Sequence, residues 1–239
     1  MNHLVKILFW GAVVFSASIG NAQEDKAAVE IEAQDRFIFN FGHENFIFGN
    51  RPDGFQPQWK STGFSFQFMY DKPVGRGNLS FAIGLAAGRQ NYHTNAVIRS
   101  READLPNGQT VGDPDAPVHF ENIEDNDAFE ANRFSTSFVE VPVELRLRTN
   151  PNDKGFSWKF YPGFKVGYLF DVQDRQVFDG DKYKWFIFPD VATLRYGPTF
   201  RIAYGKVGLY GQYAVNSFFN EGQGPEMNQL SVGITIMPF

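Results

Sequence analysis

The chain contains no cysteine among its 239 residues. This absence excludes disulfide bonds, thiol catalysis, cysteine-bound zinc and a lipoprotein anchor. Long apolar runs are also scarce, because the hydrophobic residues, 43% of the total, are dispersed along the chain, which argues against a helical membrane protein. Such dispersal is compatible with a transmembrane barrel, whose strands alternate apolar and polar residues. The net charge of −5 gives no reason to expect a nucleic-acid partner.

Signatures of catalysis are missing as well. Beyond residue 22, histidine occurs at His43, His93 and His119 only, and the chain has neither a G-x-S-x-G nor an H-E-x-x-H motif. We therefore predict a protein that is not an enzyme, with no catalytic residues, no metal and no cofactor. A weak alternative pairs His93 with Ser100 near one rim of the fold, because a catalytic triad is recognised by geometry rather than by sequence position.

The first residues have the pattern of an export signal. Lys6 precedes an apolar run over residues 7–19, and small residues follow up to Ala22. The run is short for a transmembrane helix, so we predict cleavage after Ala22, with a retained N-terminal anchor as the alternative. The predicted organisation is a signal peptide over residues 1–22, a short periplasmic lead-in over 23–35 and a barrel domain over 36–239.

The abundant residues favour a sheet rich in hairpins. Aromatic residues make up 17% of the chain, including 27 Phe, and 23 Gly with 13 Pro supply turns. The clearest segment covers residues 134–170, where two alternating patterns flank the turn sequence TNPNDKG. Since successive side chains of a strand face opposite sides, this hairpin has one apolar face and one charged face. The apolar face carries Val139, Val141, Val143, Leu145 and Leu147 in the first arm and Phe156, Trp158, Phe160, Phe164, Val166, Tyr168 and Phe170 in the second.

Similar alternation recurs along the chain and predicts eight strands. They begin near residue 36 and at residues 62, 79, 134, 156, 190, 207 and 229. The connections after the odd-numbered strands are long, including a loop at about 171–184, and those after the even-numbered strands are short. Short periplasmic turns, long outer loops and an even strand number are typical of outer-membrane barrels. We therefore predict an all-β fold, an eight-stranded antiparallel up-and-down transmembrane β-barrel in the outer membrane of a Gram-negative bacterium, in contact with outer-membrane lipid.

Outward aromatic residues fall near the predicted strand ends. Amphipathic rings favour the boundary between lipid and water, so the pattern predicts two girdles, although frequent aromatics also produce some coincidence. The inner girdle is predicted to hold Tyr70, Trp158 and Tyr204, and the outer girdle Tyr168, Tyr196 and Tyr213.

The opposite strand faces carry charges that are predicted to point into the barrel. They are Glu140, Glu144, Arg146, Arg148, Lys159, Lys165, Arg195 and Arg201. An eight-stranded barrel is only wide enough for its own side chains, so we predict structural ion pairs across the interior. Because the basic members outnumber the acids, an anion-binding or gated lumen is the alternative.

A long polar segment, residues 96–132, connects the third and fourth predicted strands. Its acids lack the ligand spacing and the glycine of a calcium-binding loop, which favours a solvated loop. Its apolar members Phe120, Ile123 and Phe129 are candidates for a contact with an envelope protein partner. The acids are Asp113, Asp115, Glu121, Glu124, Asp125, Asp127 and Glu130.

Three segments carry a resemblance to a known family: SFQFMYDKPVGRGNLSFAIGLAAG (65–88), FVEVPVELRLRTN and YPGFKVGYLF. Together they resemble the PorT-like outer-membrane β-barrel family typical of Bacteroidota. The resemblance implies a small eight-stranded barrel and provides no catalytic residues to carry over. Its founding member is associated with protein secretion and gliding machinery.

Two functional hypotheses follow. The first is a non-enzymatic scaffold or accessory subunit of an envelope assembly, for which the resemblance suggests secretion. The second is a small porin-like channel or transporter for small solutes. A soluble lipocalin-like barrel is an outside alternative, and it would turn its apolar residues inward.

Overall fold

The fold comes from a computed structural model of the chain. The structure describes residues 35–49, 55, 58–75, 77–99, 103–104, 110–111, 119–122, 129–178, 180–185 and 190–238. The chain divides into two units, Met1–Ile31 and Glu32–Phe239, and every described residue belongs to the second. The predicted signal peptide, and the lead-in up to residue 34, lie outside the described residues.

Thirteen strands are described. They are β1 (Phe37–Phe48), β2 (Thr62–Pro73), β3 (Leu79–Thr94), β4 (Ala96–Arg99), β5 (Ala103–Asp104), β6 (Thr110–Val111), β7 (His119–Asn122), β8 (Phe129–Arg148), β9 (Trp158–Phe178), β10 (Asp181–Trp185), β11 (Leu194–Tyr204), β12 (Val207–Tyr213) and β13 (Met227–Ile236). Among the described residues, no helix is long and apolar enough to cross a membrane.

Eight of these strands form a closed antiparallel barrel. Neighbours pair in the order β1, β2, β3, β8, β9, β11, β12 and β13. The ring closes where β13 pairs with β1, with Ile236 opposite Phe39 and Ile234 opposite Phe41. Because every barrel strand then has two hydrogen-bonded neighbours, no edge is left open. The predicted eight-stranded up-and-down barrel is confirmed.

The two ends of the barrel differ in their connections. Three short turns, at 74–78, 149–157 and 205–206, lie at what we call the short-turn end. The long connections, at 49–61, 95–128, 179–193 and 214–226, lie at the opposite, long-loop end. At the short-turn end Gly205 has a φ of 62°, a backbone conformation that glycine adopts at low cost. This lets β11 reverse into β12 within two residues.

The barrel has an apolar outside and a polar inside. Outward side chains such as Leu85, Phe200 and Leu209 are about half exposed or more, while inward Gln67, Glu140 and Arg201 are buried. A soluble barrel would place these sets the other way round. The observed arrangement therefore contradicts the alternative of a soluble lipocalin-like barrel.

Strands β8 and β9 are longer than predicted, at 20 and 21 residues. The prediction of a loop over 171–184 is wrong, since β9 continues to Phe178 and β10 pairs back along it. Up to Phe170 the outward residues are apolar, but the next outward residues on β9 are Asp171, Gln173 and Arg175. A strand that rises beyond the apolar band loses its contrast between faces, so its sequence resembles a loop.

Other predicted boundaries shift by a few residues. The sixth predicted strand begins at Leu194 rather than residue 190, and the eighth begins at Met227 rather than residue 229. Within the predicted 96–132 loop, β4 pairs with β7 and β5 with β6. The side chains of its acids, and of Phe120, Ile123 and Phe129, lie outside the described residues.

Candidate functional site

The interior of the barrel is the candidate site, because it holds the buried charges of the described residues. Glu140 lies at its centre, fully buried together with Lys165 and Arg195. Arg195 Nη2 donates to Glu140 Oε1 at 2.6 Å, and Lys165 Nζ lies 3.1 Å from Oε2 as an ion pair without hydrogen-bond alignment. Lys165 Nζ donates instead to Gln212 Oε1 at 3.0 Å. The guanidinium carbon of Arg195 lies 4.0 Å from the ring centre of Phe138.

A second carboxylate, Glu144, lies four residues further along β8 and therefore closer to the short-turn end. Arg146 Nε donates to Glu144 Oε2 at 2.9 Å, and Arg201 donates to Oε1. Arg201 Nε also donates to Thr235 Oγ1 at 3.0 Å. This carboxylate therefore joins β8 to β11 across the lumen, and a threonine on β13 adds a third strand.

Asp35 anchors a third cluster at the short-turn end. Lys159 Nζ and the hydroxyl of Tyr161 each donate to its carboxylate at 2.7 Å. Arg148 Nε in turn donates to the Tyr161 oxygen at 2.9 Å. Asp71 accepts from Arg148 and, at 3.2 Å, from Arg146 Nη1. Asp35, two residues before β1, thus links Arg148 of β8 to Lys159 of β9 at this end of the lumen.

The structure places all eight of the predicted interior charges in the lumen, and each takes part in an ion pair. Lys165 and Arg195 share Glu140, and Arg146 and Arg201 share Glu144, while Lys159 and Arg148 reach Asp35.

Sequence reasoning missed several acids that point into the lumen, among them the buried Asp35 and Glu44 and the partly buried Asp71. Asp71 continues the inward set of β2 beyond Tyr70, and Glu44 continues that of β1, so strict period-2 counting would have found both. Glu44 accepts a hydrogen bond from Ser231 Oγ and has no ion pair among the described residues. A Cβ at Gly63 would lie 1.9 Å from its Oε1, so glycine at this position makes room for the carboxyl group.

A second feature missed from the sequence is an aromatic cluster that fills the lumen at the long-loop end. We call it the aromatic cap: Phe46, Phe55, Tyr92, Phe134, Phe218 and Phe219, with Ala96, Val172, Val191 and Met227. The ring of Phe46 lies 4.2 Å from that of Tyr92 and 5.2 Å from that of Phe218, and Phe134 lies 5.5 Å from Phe218. Phe46, Tyr92 and Phe134 occupy inward positions on β1, β3 and β8, on the face opposite to the outward phenylalanines, and Phe55, Phe218 and Phe219 lie in the long connections.

The six predicted girdle residues all lie on the outer surface of the barrel. Tyr70, Trp158, Tyr168, Tyr196 and Tyr204 are exposed, and Tyr213 is half-buried. Tyr204 lies directly opposite Trp158, with ring centres 5.2 Å apart, and its hydroxyl accepts from Asn152 Nδ2 at 2.9 Å. An apolar ring with a polar tip beside a turn suits a lipid boundary.

The described residues provide no geometry that supports the catalytic pairing of His93 with Ser100. His93 points outward on β3, opposite Arg133, and Ser100 lies outside the described residues. No group of three or more His, Asp or Glu side chains in the described part of the chain is placed to hold a metal ion.

A closed barrel with an apolar outer surface and a polar, ion-paired interior defines an integral outer-membrane β-barrel protein. The sequence profile of the outer membrane protein beta-barrel domain matches residues 21–236. The chain belongs to this family, and its location is the outer membrane. No curated protein and no solved structure matches the chain significantly. In such barrels the short turns face the periplasm and the long loops the exterior.

The lipid-facing surface gives a direct prediction. Phe200 lies near the middle of β11 and is 49% exposed. We expect Phe200→Arg to lower the free energy of unfolding from bilayers by about 2–4 kcal/mol, the cost of a cation near the bilayer midplane. Urea titration in phospholipid vesicles measures it, with Phe200→Leu as the matched apolar control. Equal stability of the Arg and Leu variants would contradict a lipid-facing position.

Proposed function

We propose that this protein is a non-enzymatic structural component of the cell envelope, a scaffold or accessory subunit rather than a channel. The resemblance of its hairpins to PorT-like barrels makes a secretion assembly the favoured setting. The interior does not carry solutes in this proposal. Instead it fixes the barrel as a rigid base for a contact with a partner.

The observation that carries the proposal is the filled lumen. The side chains of Arg146, Glu140 and Arg195 are at most 2% exposed, although they point into the space that a channel would leave for water. Since eight strands enclose only enough room for their own side chains, the three charge clusters and the aromatic cap obstruct the axis at successive levels.

The charge balance of the lumen supports the same view. Below the aromatic cap, the described lumen holds six basic side chains and five acids, and the four acids that form ion pairs neutralise most of the positive charge. The basic residues are Arg146, Arg148, Lys159, Lys165, Arg195 and Arg201, and the acids are Asp35, Glu44, Asp71, Glu140 and Glu144. The alternative of an anion-selective lumen rests on the excess of basic residues over Glu140 and Glu144, and the three further acids remove most of that excess.

A conductance measurement distinguishes the scaffold from the small-solute channel. We expect the full-length protein, reconstituted in planar bilayers, to show no steady open channels, because ion-paired side chains and the aromatic cap occupy the described lumen. An open porin in the same bilayers is the positive control. Steady conductance that depends on the solute would contradict the scaffold proposal and favour the small-solute channel.

A second arm of that test addresses the partner. Strands β5 and β6 pair with each other rather than with the barrel, so residues 100–118 can be replaced by a short glycine-rich turn without changing the pairing of barrel strands. We expect an envelope protein that co-purifies with the full chain from native outer membranes to be lost from this variant. A matched replacement of residues 221–224, in the connection between β12 and β13, should retain it. If the partner still co-purified with this variant, its contact would lie outside residues 100–118 of the loop.

A further inference from the structure

A row of basic side chains crosses the outer surface of the barrel beyond the lipid-facing band. On adjacent strands, His93 of β3 lies opposite Arg133 of β8, Arg133 opposite Arg175 of β9, and Arg175 opposite Lys184 of β10. We call these four residues the basic row. They face outward, because their strand neighbours Tyr92, Asn132 and Gln176 are buried on the lumen side.

This arrangement is costly for an isolated barrel. Directly opposite residues of antiparallel strands lie about 5 Å apart, and like charges at that distance destabilise the pair. Arg133, Arg175 and Lys184 have no ion pair among the described residues. The acid on this face of β9, Asp171, is already bound to Arg89 at 3.1 Å, and Asp181 lies three residues from Lys184 at the exposed start of β10.

The surroundings of Arg133 favour the binding of an anion. Its Nε atom is buried and has no hydrogen-bond partner among the described residues. Partial burial, with Arg175 and Arg89 nearby, lowers the pKa of Arg133. Burial, followed by the charges of Arg133 and Lys60, lowers the pKa of His93. An anion bound to the basic row would accept a hydrogen bond from Arg133 Nε and would offset the repulsion between the neighbouring positive charges.

The height of the row indicates which anion is in reach. The outward apolar residues end at Ala87 on β3 and Val139 on β8. Arg133 precedes Val139 by six residues, which places it roughly 15 Å beyond the apolar band for strands tilted at about 40°. The headgroup region of a phospholipid leaflet is only about 5–8 Å thick. The row therefore lies above phospholipid phosphates, at a level that the phosphorylated sugars of a larger glycolipid occupy.

We propose that the basic row binds the phosphate groups of a phosphorylated glycolipid of the outer leaflet, lipopolysaccharide being the glycolipid of this chemistry. The two guanidinium groups at its centre present planar donor pairs that match phosphate oxygens in bidentate fashion. Lys184 extends the positive surface on one side, and on the other side the imidazole of His93 offers an N–H donor. This site depends on the outer-membrane location of the barrel and is independent of the scaffold role.

Binding of purified lipopolysaccharide to the full-length protein in detergent tests the site. We expect wild-type protein to bind it, and the double variant Arg133→Gln/Arg175→Gln to bind at least about tenfold more weakly, as for the loss of one or two charged hydrogen bonds. The control, Lys154→Gln/Lys206→Gln, removes two exposed charges from the short turns and should bind as wild type does. The double variant relieves repulsion, so its thermal unfolding should not fall below that of wild type.

Three results would overturn the proposal. One is equal binding by the wild type and the Arg133→Gln/Arg175→Gln variant. Another is unchanged affinity for lipopolysaccharide whose phosphates have been removed enzymatically. The third is equal binding of phosphatidylglycerol in nanodiscs or of inorganic phosphate, which would make the row a general anion surface. The variant Arg133→Lys/Arg175→Lys should fall between wild type and the Gln variant, since it keeps the charge but loses the planar donor pairs.

Discussion

Replacing Glu140 by alanine is expected to lower the free energy of unfolding by about 3–5 kcal/mol, as for the removal of one partner from a buried ion pair. Glu140 is the carboxylate that Lys165 and Arg195 share, at 3.1 Å and 2.6 Å. All three side chains are buried, so neither cation can turn to bulk water when the carboxylate is lost. Urea-induced unfolding of the full-length protein in phospholipid vesicles measures the change.

Two control variants separate the charge from the shape of Glu140. Glu221→Ala removes an exposed carboxylate in the connection between β12 and β13, and is expected to change stability by no more than about 0.5 kcal/mol. Glu140→Gln keeps an acceptor for Arg195 but not the negative charge, so its stability should fall between wild type and Glu140→Ala. A Glu140→Ala loss no larger than that of Glu221→Ala would mean that water hydrates the lumen, and would weaken the case for a filled interior.

The parts of this fold that the sequence predicted depend on local alternation. The outward and inward sets of the 134–170 hairpin follow from the pleat of a single strand, whatever the strand pairs with. Loop lengths then distinguish the two ends of the barrel, and an even strand number follows from closure. The location of Glu140, Lys165 and Arg195 in the lumen needed no knowledge of tertiary structure beyond this rule.

The parts that the sequence did not predict depend on contacts across the lumen or on strand segments outside the lipid. Asp35 precedes the first strand, and nothing in its sequence surroundings indicates that Lys159 and Tyr161, more than 120 residues later, lie beside it. Partners across a barrel are set by the stagger of the strands, which alternation does not specify. Beyond Phe170 the outward residues of β9 become polar, because they no longer contact lipid, and the strand signal disappears with them.

The aromatic cap gives the second large expected effect. Phe218 is 3% exposed, and its ring lies 5.0 to 6.1 Å from those of Phe46, Tyr92, Phe134 and Phe219. We expect Phe218→Ala to lower the free energy of unfolding by about 3–5 kcal/mol, because it leaves a cavity among rings that cannot collapse onto it. Urea unfolding in the same vesicles provides the measurement.

Phe200→Ala is the matched control for the cap, because it removes the same side chain from the lipid-facing surface, where fluid acyl chains fill the space. Its expected loss is well below that of Phe218→Ala. The Phe218→Ala barrel should still show no steady conductance, since the Glu140, Glu144 and Asp35 clusters lie beneath the cap and remain paired. Conductance without a stability loss would instead identify the cap as a gate over an open lumen, and the charge clusters would then line a path for solutes.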